Sequence, residues 1–286
     1  MLRFLLVLPL VLVPVTARAD DAADKAATVK YVLSLQDAET GAFKVTADGK
    51  PSLRACNGGV KVLRALGAEV PMLDKLKAFA TKCYDAKAGC FTEPDGKPDV
   101  AINAVGILVI AELGLKKSDF AGAMTYLKEN AKTWEDVRIA AAAVEAWGLK
   151  ECPFPLDDWD KLAMKTHFAS PINPIHQGEV LAFKLRLGLK PFDNTTKFMV
   201  VLSTKSKGGW GKPDSETADL ETTYRMMRAV YYSKLADRNF NYESGFKTAA
   251  FLKSCRNPDG GCGVTPDAPS TLSGTYYAVM IEKWLK

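Results

Sequence analysis

Residues 75–113 read KLKAFATKCYDAKAGCFTEPDGKPDVAINAVGILVIAEL, and residues 247–285 read KTAAFLKSCRNPDGGCGVTPDAPSTLSGTYYAVMIEKWL. Laid over each other they match Phe79 with Phe251, Cys83 with Cys255, Gly89 with Gly261, Cys90 with Cys262 and Pro94 with Pro266, always at an offset of 172. A constant offset over so many positions marks an internal repeat. The unit reads as an outer helix, a loop rich in Gly, Pro and Asp, and a more apolar inner helix. Four copies are clear, at 21–66, 73–113, 194–235 and 243–285, with loop glycines at Gly41, Gly89, Gly208, Gly209, Gly211, Gly260, Gly261 and Gly263. Residues 119–149 and 157–188 alternate two further helical patterns around shortened loops near Thr133 and at Pro171 to Pro174. That makes six helix pairs.

Periodicity supports the helices. In 99–113 the apolar residues run around most of the wheel, as expected of a helix enclosed on all sides, whereas Lys75, Lys77 and Lys82 alternate with Leu76, Phe79 and Ala80 on a helix with one solvent face. No alternating pattern is long enough to compete as a strand. The fold class read here is all-α.

The first residues carry a different signal. Arg3 is followed by an apolar run from Phe4 to Val15 and by the small-residue pattern Ala17, Arg18, Ala19. That order predicts a secretory signal peptide over residues 1–19, cleaved before Asp20. A membrane span is disfavoured, because the run is about a dozen residues and holds Pro9 and Pro14, against roughly 20 for a bilayer. Without residues 1–19 the formal charge falls from +5 to +3, and no basic cluster with interleaved aromatics points to nucleic acid or an anionic membrane. Six cysteines in an exported chain predict oxidation. Cys83 with Cys90 and Cys255 with Cys262 share one spacing, each with a glycine beside the second member, so two disulfides stapling equivalent loops are expected, with Cys56 and Cys152 left out.

The segment KGGWGKPDSETADLETTYRMMRAV (207–230) resembles the repeat signature of the prenyltransferase β-subunit and squalene-cyclase family: Gly-Gly, an aromatic, Gly, a Pro-containing turn, then a polar helix start with Thr-Tyr. Residues 252–284 repeat it, and YVLSLQDAETGAF (31–43) is similar. The resemblance is faint from about 119 to 190. It implies an α/α toroid over residues 20–286 as one domain, with six inner helices lining a central apolar cavity and outer helices around them. Physics agrees, since a lone helix pair cannot bury its apolar face and a closed ring exposes no end repeat.

The same resemblance directs attention to the chemistry. Zinc-dependent prenyltransferases use an Asp, a Cys two positions later and a His in the following repeat. The corresponding positions here are Asp219, Glu221 and Gly274, just before Thr275, so two of three ligands are missing. Squalene cyclases protonate an alkene with clustered aspartates, and no run of three close acids occurs in an inner helix; Asp157 and Asp158 read as a helix start. As a glycosidase pair, Asp219 and Glu221 fail because neighbours two apart on a helix diverge. An N-cap with a first-turn acid is the simpler reading. His167 and His176 flank the Pro171 to Pro174 bend without a third ligand at matching spacing. Cys56, in Ala-Cys-Asn-Gly-Gly at a helix start, is a candidate reactive thiol, set against a plain buried one.

The sequence therefore reads as an exported toroid that binds an isoprenoid, another apolar molecule or a partner, without cofactor or metal. The alternative is an isoprenoid-processing enzyme with a rearranged site. Candidate catalytic residues are Asp219, Glu221, Tyr224 and Cys56, and candidate cavity-rim residues are Asp99, Asn103, Thr275 and Tyr276.

Overall fold

The computed structural model describes residues 16–169, 174–191, 208–212, 215, 217–237, 240, 242 and 245–286. Within them lie eleven α-helices: α1 (Thr16–Ser34), α2 (Leu53–Ala65), α3 (Leu73–Lys82), α4 (Val100–Leu113), α5 (Gly122–Asn130), α6 (Trp134–Trp147), α7 (Asp157–Ala169), α8 (Pro174–Arg186), α9 (Leu220–Ala236), α10 (Gly245–Ser254) and α11 (Leu272–Leu285). The repeat offset holds to the residue: α3 and α4 start and stop where α10 and α11 do once 172 is added. Strand is confined, among the described residues, to the two-residue ladder of β1 (Tyr84–Asp85) with β2 (Cys90–Phe91). Most of the predicted leader, the Pro171 corner and the outer helix expected from 194 lie outside the described residues.

Six helices form the inner ring. α2 packs on α4, α4 on α6, α6 on α8, α8 on α9, α9 on α11, and α11 returns to α2. Each of the four clear repeats begins its inner helix with a short polar side chain that caps the first turn. Ser52, Asp99, Asp219 and Thr271 accept from the backbone N–H three residues on, at 3.1, 2.7, 2.7 and 3.0 Å. Such caps contribute about 1 kcal/mol each.

One glycine per clear repeat explains how the ring propagates. Gly41, Gly89, Gly208 and Gly260 all have positive φ, and each abuts the outer helix of the next repeat: a Cβ would collide with α3 at Gly41, with Lys247 of α10 at Gly208 and with Ala27 of α1 at Gly260, and at Gly89 would rest in ordinary contact on Gly122 of α5. The last of these contacts closes the circle. Thr28 completes the joint, donating to the carbonyl of Gly260 at 2.9 Å and accepting from Arg256 at 2.7 Å.

A second repeated device ties each loop to its inner helix. The N–H of Phe43, Phe91, Trp210 and Cys262 is accepted by Cys56 Sγ, Asn103 Oδ1, Thr223 Oγ1 and Thr275 Oγ1 at 3.4, 3.0, 2.9 and 3.0 Å. This corrects the sequence alignment by one residue. Cys262 occupies the place of Phe91, not of Cys90, because the turn from Asn257 to Gly261 is one residue shorter than that from Asp85 to Cys90.

Candidate functional site

The inner helices enclose a cavity of about 200 Å³. Every inner helix contributes to it, among others through Lys61, Leu108, Glu145, Arg186, Tyr224 and Tyr276. The apolar lining expected from the resemblance is therefore incorrect: cations and tyrosines dominate. Their placement follows from ring closure, which turns one face of each inner helix inward whatever its polarity.

Two of the lining cations, Arg138 and Arg186, are paired with carboxylates in the wall. Arg186 meets Glu145 at 2.9 Å and the hydroxyl of Tyr232 at 3.1 Å. Arg225 bridges Glu179 at 3.1 Å and Glu221 at 2.6 Å, and Arg138 meets Glu135 at 2.5 Å. Lys61 and Arg228 differ, since neither has a carboxylate within ion-pair distance among the described residues. Arg228 stacks over the Tyr224 ring at 4.5 Å, and its Nε is buried without a hydrogen-bond partner. An unpaired cationic donor in an enclosed space is costly unless an anion faces it.

Tyr224 stands beneath Arg228. Its hydroxyl lies 2.6 Å from that of Tyr276. Burial raises the pKa of Tyr224, but Arg228 and then Lys61 outweigh it and hold the phenol below its ordinary range. Burial, followed by the neighbouring Tyr224, pushes the pKa of Tyr276 well up, and either hydroxyl can be the donor between them. Burial likewise pushes the Lys61 amine down, against the pull of Tyr224 and Glu112.

The other sequence candidates serve the scaffold. Asp99 is the α4 cap. Asn103 and Thr275 are fully buried behind the wall, accepting the loop amides described above. Cys56 does the same, and burial pushes its thiol up to about 12, opposite to the lowering expected at a helix start. Tyr224 and Tyr276 alone among the candidates converge. Lys61 and Arg228 were missed; the available signal was a cation set between apolar neighbours, Val60 and Val62 around Lys61.

The three positions that hold zinc in the resembling enzymes do not fit the ion. Both carboxylate oxygens of Asp219 are engaged by Thr222, at 2.7 and 2.8 Å. Glu221 is paired to Arg225. At Gly274 a Cβ would lie inside 3.0 Å of the Cys262 carbonyl oxygen, so no ligating side chain fits there. No group of three or more His, Cys, Asp or Glu capable of holding a metal occurs among the described residues.

All six cysteines are thiols in this structure. Cys83 lies opposite Thr92 and Cys90 opposite Asp85, two rungs apart on one face of the hairpin. Diagonal neighbours of this kind stand about 7–8 Å apart, so joining them requires the hairpin to shift. Among the described residues no helix is long and apolar enough to cross a membrane.

A family profile described as the prenyltransferase alpha-alpha toroid domain matches residues 4–137 and 181–286. Among solved structures, the chain is similar to Candida albicans protein geranylgeranyltransferase-I complexed with GGPP, at 14% identity and a TM-score of 0.27. The match covers 86% of this chain and 52% of that one, so the chain spans about half the length of that protein. No curated protein matches the chain.

Proposed function

The chain belongs to the prenyltransferase alpha-alpha toroid family, and from that membership we propose that it is an exported toroid that binds an isoprenoid through an anionic head group, without the zinc or acid chemistry of its relatives. The observation that carries this reading is the pair of cations without a carboxylate partner among the described residues, Lys61 and Arg228, which line the same small cavity as the hydrogen-bonded Tyr224 and Tyr276. A diphosphate or similar anion supplies the missing charge and accepts from the free Arg228 Nε.

An anion bound there faces Tyr224 beside the same cations, so it should raise the Tyr224 pKa. Titrating the protein with inorganic diphosphate in excess chelator, near pH 9, is expected to remove tyrosinate absorbance saturably at one equivalent. Unchanged absorbance, or a change that needs added zinc, would overturn the reading.

Export with cleavage before Asp20, and oxidation of Cys83 with Cys90 and of Cys255 with Cys262, complete the proposal. Short loops of this kind should contribute less than the roughly 3 kcal/mol of a 15-residue loop, so the bonds serve to fix the turns. Non-reducing peptide mapping of the exported chain should show both links; free thiols at all four positions would exclude them.

A second reading, an isoprenoid-processing enzyme with a rearranged site, is favoured by the tyrosine pair itself. A phenol held below its ordinary range and hydrogen-bonded to a second phenol is a proton acceptor and donor side by side. Turnover of an isoprenoid diphosphate that vanishes in Tyr224→Phe while binding persists would select it.

A further inference from the structure

A second cavity, larger than the lumen, lies outside the ring of inner helices. A groove of about 1020 Å³ lies at the loop end of the first two repeats, floored by Pro51, Ala78, Phe79, Pro94 and Ile102. It is held open by the chain on either side. The carboxylate of Glu93 accepts from the backbone N–H of Leu53 and Arg54 at 2.8 and 3.2 Å, fixing the second loop to the start of α2. On the opposite side Lys75 reaches the Ala38 carbonyl at 2.8 Å, fixing α3 to the first loop.

Arg54 borders both the groove and the lumen cavity. The lumen has room for only about seven waters at roughly 30 Å³ each, enough for a head group and too little for a long chain. Its walls are also charged, and burying an apolar chain against buried cations forfeits their remaining solvation. The groove has the volume and the apolar floor that the lumen lacks. We infer that the ligand is an amphiphile that straddles Arg54, its anionic head in the lumen and its apolar chain in the groove between the first two repeats. This rests on the anion reading of the lumen and adds the placement of the chain, outside the ring of inner helices.

The placement has a direct test. Ala78 is exposed on α3, away from the core, so Ala78→Trp narrows the groove and Ala78→Asp makes its wall charged without touching the lumen. Farnesyl diphosphate and inorganic diphosphate are titrated into wild type and both variants. Wild type should bind farnesyl diphosphate at least 100-fold more tightly than diphosphate. Both variants should lose about tenfold for farnesyl diphosphate and nothing for diphosphate. Unchanged farnesyl diphosphate affinity in both, with diphosphate binding intact, overturns the placement while leaving the anion site standing. Failure of wild type to bind diphosphate at all sinks both inferences. Melting curves of the variants check that neither change unfolds the chain.

Discussion

Gly106→Ala is expected to destabilise the protein by about 3 kcal/mol, at the upper end of the usual cost of overpacking. In an ordinary helix interior the same change would stabilise by about 1 kcal/mol. The sign reverses here because a Cβ on Gly106 would fall inside the ring of Phe91, well under 3.0 Å from its Cγ. Phe91 cannot retreat. It is fully buried and held between Tyr84 and Phe120, with centroids 5.0 and 5.4 Å away. Gly59 stands in the same relation to Phe43, where the added carbon would be 2.6 Å from the ring. The glycine in these inner helices is the socket for the loop aromatic. Urea unfolding of Gly106→Ala and of Gly106→Ala with Phe91→Leu checks this: the second change should restore part of the loss. A Gly106→Ala chain as stable as wild type would mean that the socket does not exist.

Arg228→Met should lower diphosphate affinity roughly 100-fold. A hydrogen bond to a charged group contributes about 1.5–3 kcal/mol, and the substitution also removes the charge that Tyr224 answers to. The fold should tolerate it, since Met matches the stem and leaves no buried cation behind. With Arg228 gone, Tyr224 loses the strongest of the influences that lower its pKa and should titrate higher. Arg228→Lys keeps the charge but not the planar fork, so its affinity should fall between the two. Calorimetric titration measures the first effect and absorbance against pH the second; equal affinity in wild type and Arg228→Met would remove the lumen as the anion site.

The helices and their closure into a ring were legible because a repeat offset is carried by apolar periodicity, which a sequence displays directly. The bounds of α3, α4, α10 and α11 obey that offset without exception. The hairpin slip that separates Cys262 from Cys90 was not legible, because a loop shortened by one residue and lengthened again before the inner helix leaves the overall offset intact. Asp219 as a cap could be read from its neighbours alone. Asn103 and Thr275 read as rim residues because their polar groups sit near inner helix starts; the loop amides that they satisfy lie 12 and 13 residues earlier, in turns whose register the sequence does not display. Cys56 was misjudged for a physical reason, as the helix end acts weakly on a thiol that burial drives up to about 12. Lys61 and Arg228 escaped because a cation among apolar residues looks solvent-facing until six helices from across the chain wall it in.

On the reading proposed above, this toroid holds an anionic ligand in its lumen and does so without zinc. Native mass spectrometry of the chain recovered from the exported fraction tests it most directly, with Arg228→Met and Asp219→Ala as companions. One anionic amphiphile per wild-type chain is expected, with its loss in Arg228→Met, its retention in Asp219→Ala, and no bound zinc in any of them. One zinc per chain that disappears in Asp219→Ala, with no anionic ligand on the wild type, would contradict it.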